Sequence, residues 1–210
     1  MKRIYSILCF SIVSLLLASC NPDGTGIFLS ISTERVIKDS VFLKRTVNRI
    51  VTDETNYYAS AGKVFKRPIS DPSGWDELPI PSGYERSLDI AYKTSNSTLY
   101  AIFATSSSSS GLFTWNGSSW SSVPTGAEGM MTDLFVEGNT LFVQSQVPSS
   151  PESVHTYRLY YWDGLTFLPV SLDSETELTY PVRDVAYKTT PPTGYWMISG
   201  PGLYKGDASS

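Results

Sequence analysis

The chain has 210 residues, 16 of them basic and 20 acidic, with two cysteines and one histidine. That length supports one domain with a sizeable core or two small ones, and the acidic balance argues against nucleic acid as a partner, since phosphate recognition needs an excess of Lys and Arg. One histidine cannot assemble the usual zinc or iron ligand sets and offers only one base for a Ser-His-Asp or Cys-His arrangement.

Positive charge on Lys2 and Arg3 precedes an uncharged, largely apolar stretch from Ile4 to Ala18, the layout of a secretory signal peptide. Its run of about 15 residues is short of the roughly 20 that a helix needs to cross the hydrocarbon core, so removal is the better reading than a permanent span. The segment closes on Leu17-Ala18-Ser19-Cys20. This resembles the lipobox of bacterial lipoproteins: an aliphatic residue, two small ones, then a cysteine. The resemblance implies cleavage between Ser19 and Cys20, diacylglycerol on the Cys20 thiol and acylation of the new amino group, and several acyl chains anchor far better than one. Such a protein is held to a membrane of the cell envelope, and Asn21, in place of the Asp that retains enterobacterial lipoproteins at the inner membrane, points to the outer one.

Cys9 lies in the signal, so the mature chain keeps Cys20 alone and has no internal disulfide. Without Lys2 and Arg3 the basic residues fall from 16 to 14 against 20 acidic ones, a formal charge of −6. The expected organisation is a signal peptide over 1–20, a short tether over 21–25 and one domain over 26–210.

Within 26–210 a short pattern returns five times, as Gly26-Ile27-Phe28, Lys63-Val64-Phe65, Gly111-Leu112-Phe113, Arg158-Leu159-Tyr160 and Gly202-Leu203-Tyr204, at intervals of 37, 48, 47 and 44 residues. Other features keep the same phase. An aromatic close to a proline follows each central copy (Trp75 with Pro79, Trp120 with Pro124, Phe167 with Pro169), then an apolar run from Ser87, Met131 or Val182, with a looser relative from Val47. A second apolar run follows each of these, from Asn56, Thr98, Thr140 and Gly194. All are short, rich in Val, Ile, Tyr, Phe and Trp, and bounded by Gly, Pro, Asn, Asp or Ser, which predicts strands joined by turns. Asn-Gly in LFTWNGSSW at 112–120 and Asp-Gly in LYYWDGLTF at 159–167 predict hairpins between the third and fourth strands of a unit, because both turn positions accept positive φ.

Four antiparallel strands every 40 to 50 residues is the unit of a β-propeller blade. The W-[ND]-G-x-x-[WF] hairpin is similar to blades of kelch and galactose-oxidase-like propellers over roughly residues 26–206. The expected fold is therefore all-β, a propeller-like array of about four four-stranded blades: a third and a fourth strand in 26–46, three full blades from Val47 to Val170 and three more strands to Asp207. Stopping after a third strand reads as premature. A four-bladed ring, an arc completed by a second chain or copy, and a remnant of a longer propeller all remain open, with the incomplete arc ranked first.

Asp89, Asp133 and Asp184 share one place in three copies, and Arg49 holds it in the looser one. They are the ligand candidates, a ring of carboxylates for a cation or basic ligand, against a structural reading in which each accepts backbone hydrogen bonds between blades. The structural reading is the stronger, since repeat position alone explains the recurrence. Trp115, Trp120, Tyr161, Trp162 and Phe167 suit sugar stacking or packing between blades, and packing explains their spacing better. His155 is expected in an exposed loop. Glu175 and Glu177 read as a solvated loop. No nucleophile elbow, phosphate loop or dinucleotide fingerprint is present, and no cofactor is implied. The serine run 106–110 and VPSSPES at 147–153 fall between second and third strands, on one expected face suited to partner contact.

These observations favour a non-catalytic, lipid-anchored binding or scaffold module with a protein partner. The alternatives are a carbohydrate-active or other hydrolytic propeller enzyme, and a truncated remnant.

Overall fold

The structure, a computed structural model, describes residues 42, 45–71, 73–149, 154–172, 178–188 and 194–207. The signal, the lipobox, the tether, the motif at Gly26 and the pair Glu175 and Glu177 lie outside them.

Four four-stranded antiparallel sheets follow one another along the chain. The first joins β1 (Arg49–Thr52), β2 (Asn56–Ser60), β3 (Val64–Pro68) and β4 (Asp76–Glu77), and the second joins β5 (Arg86–Lys93), β6 (Thr98–Ala104), β7 (Ser110–Trp115) and β8 (Trp120–Val123). The third is built from β9 (Met130–Glu137), β10 (Thr140–Ser149), β11 (Val154–Trp162) and β12 (Phe167–Pro169). In each, consecutive strands are neighbours.

The fourth sheet departs from this meander. Its strands β14 (Val182–Lys188), β15 (Gly194–Ser199) and β16 (Gly202–Asp207) are the three expected ones, and its outer place is taken by β13 (Ser171–Leu172), which precedes them in the chain. Ser171 pairs with Asp207 and Leu172 with Gly206. A strand edge that the repeat leaves open is thereby covered.

The hairpins form where the sequence places them. Asn116 Oδ1 accepts the Ser118 and Ser119 N–H groups at 2.9 and 2.8 Å, and Asp163 Oδ1 accepts those of Leu165 and Thr166, both at 2.7 Å. Gly117 and Gly164 supply the positive φ, +100° and +108°, that these turns require.

Period-2 alternation gives every sheet two apolar faces, one toward the next sheet and one toward the previous, here termed leading and trailing. Tyr58 and Val64 on the leading face of the first sheet meet Ile90, Ala101, Phe103 and Phe113 of the second. Tyr100, Ile102 and Leu112 of the second meet Leu134, Leu141, Val143 and Tyr160 of the third. Phe142 and Leu159 of the third meet Val182, Val185 and Met197 of the fourth. Sheets stacked face to side in this order make a propeller-like array. No apolar cluster of the described residues joins the fourth sheet back to the first, so the array is open.

Candidate functional site

The first strands of the first three sheets lie side by side, and a cavity of about 540 Å³ opens along them, lined by Arg49, Leu88, Asp89, Thr132 and Asp133 among others. Here the recurring Asp residues sit. In β5, β9 and β14 the ladder slips by one residue just before the Asp, leaving Leu88, Thr132 and Arg183 as bulges. A bulge re-aims the side chain that follows it, and in β5 it sends Asp89 into the joint between sheets.

Asp89 is buried at 3% exposure. Its Oδ1 accepts from Arg49 Nε of the first sheet at 2.7 Å, and its Oδ2 accepts the Leu134 N–H of the third at 2.9 Å. One carboxylate thus ties three sheets together. Burial pushes its pKa above the usual carboxylate range, against the opposing pull of Arg49 and of the Leu134 and Ile90 N–H groups. Arg49 also places its guanidinium 5.7 Å from the centre of the Phe135 ring of the third sheet, a cation–π contact.

The other two Asp residues are placed differently. Asp133 Oδ2 accepts from Gln144 Nε2 at 2.6 Å, and the joint with the fourth sheet is made by Gln144 itself, whose Oε1 accepts the Val182 N–H. Asp184 accepts the N–H of its neighbour Val185 at 2.9 Å, its one hydrogen bond among the described residues, and is exposed. Among the described residues no group of three or more His, Cys, Asp or Glu side chains gathers in metal-binding geometry. Asp89 and Asp133 line that one cavity and Asp184 is not among its lining residues; the Asp89 carboxylate accepts a backbone N–H from the neighbouring sheet, as in the structural reading.

A common donor unites the joints. The N–H two residues ahead of each Asp is satisfied by the preceding sheet: Ser87 donates to the Gly62 carbonyl at 3.0 Å, Met131 to Ser110 Oγ at 2.6 Å and Val182 to Gln144 Oε1. Gln144 escaped sequence reading, and Ser110, read as part of the polar serine run, stands at the start of β7 as a joint acceptor. The available signal was a Gln inside the apolar run TLFVQSQ, fully buried here, because a buried amide needs partners.

The aromatic candidates serve packing. Trp115 and Trp120 lie with ring centres 5.0 Å apart, Trp162 and Phe167 4.9 Å apart, and Tyr161 and Phe167 are buried. Trp120 reaches back to the first sheet, its Nε1 donating to the Pro79 carbonyl at 2.7 Å.

The polar loop face differs from expectation in one respect. VPSSPES is not all loop, since β10 runs on to Ser149 and β11 begins at Val154. His155 accordingly stands in β11, opposite Pro148, and is exposed. The long β10–β11 hairpin and the serine loop before β7 enclose a groove of about 620 Å³, lined by Ser108, Ser109, Met130, Gln146, Pro148 and His155 among others. Gly129 is held close to the floor of this groove: at φ +78° any Cβ would fall 2.3 Å from the Gln146 carbonyl oxygen.

No family model matches the chain, and no curated protein matches it. Solved structures similar to it include YCF48 from Cyanidioschyzon merolae, at TM-score 0.49 and 14% identity, covering 81% of this chain and 59% of that one. The WD40 β-propeller domain of Doa1 is similar at TM-score 0.41 and 12% identity, covering 78% and 65%. A fucose lectin from Kordia zhangzhouensis, solved with methyl-fucoside, is similar at TM-score 0.37 and 10% identity, covering 60% and 96%. The chain spans less than two thirds of the length of the first two.

Proposed function

We propose that this chain is a non-catalytic binding module of a bacterial cell envelope, anchored through lipid on Cys20, that engages a protein partner through the groove between its second and third sheets. The observation that carries the reading is the groove itself. It is a concave surface with Ser108, Ser109 and Gln146 for hydrogen bonding and Met130 and Pro148 for apolar contact, formed by the serine loop and by the ends of β9 and β10. A binding role also agrees with the fate of Asp89, whose carboxylate is tied to Arg49 and Leu134 rather than presented to a substrate. Carbohydrate is the second ligand class for such a groove.

The anchor rests on Leu17-Ala18-Ser19-Cys20, and one experiment addresses it: Cys20→Ala should abolish incorporation of labelled palmitate and release the chain from the membrane fraction. For the groove, a photo-crosslinking amino acid at Gln146 should give a discrete protein adduct in cells, while the same probe at Leu165, in the exposed β11–β12 turn, should not. Equal adducts at both positions would remove the reading.

A further inference from the structure

Strand register aligns equivalent residues at the end of each joint where first and second strands turn. In the first joint the leading row Val51, Tyr58 and Lys66 faces the trailing row Tyr92, Leu99 and Trp115. In the second the same rows are Ala91, Tyr100 and Thr114 against Val136, Leu141 and Trp162. The Tyr, the Leu and the Trp recur. Two of the differences enlarge the polar content of the first joint: Lys66 stands where the second has Thr114, and Tyr92 where it has Val136.

At that row the first joint opens into a cleft of about 310 Å³, at the low end of the range for small-molecule sites and sized for a single ring. Tyr58 and Leu99 line it as buried side chains, and Lys66, Tyr92 and Trp115 as half-buried ones, Trp115 packing on Trp120 as well. Its rim is pinned on both sheets. Asp53 fixes the β1–β2 turn by accepting the Thr55 and Asn56 N–H groups and, at 2.9 Å, the Tyr58 hydroxyl, and Asn116 fixes the β7–β8 turn. Those acceptors are therefore engaged already. The Lys66 ammonium, the Tyr92 hydroxyl and the Trp115 indole N–H, by contrast, have no hydrogen-bond partner among the described residues.

We infer that this cleft binds a single pyranose ring. A sugar supplies what the cleft leaves unused. Its C–H face is apolar and packs on indole and phenol rings, while its hydroxyls and ring oxygen accept from donors at its edge. Lys66, Tyr92 and Trp115 are three such donors on two aromatic walls, and a purely apolar ring would leave all three dry and unpaired, which costs free energy for each. Packing alone does not call for Lys66 and Tyr92, since the second joint closes the same row with Thr114 and Val136. The cleft shares no lining residue with the groove between the second and third sheets, so occupancy of one is measured independently of the other.

The full chain, isotopically labelled on its tryptophan indole nitrogens and held in a polyoxyethylene detergent that carries no sugar, provides the readout by nuclear magnetic resonance. Titration with the methyl pyranosides of glucose, galactose, mannose and N-acetylglucosamine should move the Trp115 signal, assigned by its loss in Trp115→Phe, to saturation with at least one of them. Cyclohexanol, a ring of the same size with a single hydroxyl, should not move it. Lys66→Thr should weaken binding about tenfold, the loss of one hydrogen bond from a charged donor. Lys66→Thr combined with Tyr92→Val, which installs the residues of the second joint, should abolish it, with the Trp75, Trp162 and Trp196 signals left in place as the measure of an intact fold. No saturable shift with any of the four sugars would overturn the inference. So would a shift that cyclohexanol reproduces, or one that Lys66→Thr leaves at full strength.

Discussion

The joint between the second and third sheets and the joint between the third and fourth solve one problem with different chemistry. In the first, a buried carboxylate takes an Arg49 nitrogen from one side and the Leu134 N–H from the other. In the second, a neutral amide does the work, Gln144 accepting from Val182 and donating to Asp133. A propeller joint thus needs an acceptor at that depth rather than a charge. A charge adds reach, since Asp89 also binds the first sheet, and it adds the desolvation cost that a neutral Gln avoids.

Removing the acceptor outright should separate the two most. Asp89→Ala leaves the Leu134 N–H unpaired and Arg49 without its partner, a loss of about 3 kcal/mol, the low end for a buried pair because the Arg49 side chain stays 35% exposed. Thermal melting of the full chain should register it, and a loss under about 1 kcal/mol would mean that water replaces the carboxylate. Gln144→Leu keeps the volume but strands the Val182 N–H, and should cost about 2 kcal/mol. If Asp89→Ala and Gln144→Leu cost the same, the charge contributes nothing beyond its acceptor oxygens.

Smaller effects sharpen the contrast. Trp120→Phe deletes one hydrogen bond to Pro79 at the outer side of the first joint while retaining most of the ring packing, and should cost about 1 kcal/mol in denaturant unfolding. A comparable loss to Asp89→Ala would move the weight of the joint from its centre to its rim. The pH profile is the finest probe. Because the folded pKa of Asp89 is raised, its protonated form is favoured by folding; the associated stability is present below the unfolded pKa near 3.8 and is lost as pH rises through the folded value. The stability difference between the unsubstituted chain and Asp89→Asn should therefore shift against the former over that window. An opposite slope would show that Arg49 outweighs burial.

Blade boundaries were legible because aromatic and β-branched runs recur in phase and Asn116-Gly117 and Asp163-Gly164 mark their turns. The common place of Asp89, Asp133 and Asp184 was legible too. Their separate fates were not, because these depend on tertiary partners: Arg49 of the first sheet reaches Asp89, Gln144 of the adjacent strand holds Asp133, and Asp184 faces no further sheet of the array. Gln144 shares its register position with Ser60, Ile102 and Ile198, so repetition hid it. β13 was invisible for another reason, since two residues carry no periodicity and their partner lies at the far end of the domain.

That remote pairing has a kinetic consequence. The first three sheets close through hairpins between consecutive strands, contacts that a growing chain can make as each strand emerges. Ser171 must wait for Asp207, and loop closure over so long an intervening segment is slow relative to a tight turn. The fourth sheet should mature last, and a chain shortened before Gly206 should leave β13 unlatched while the three preceding sheets assemble normally.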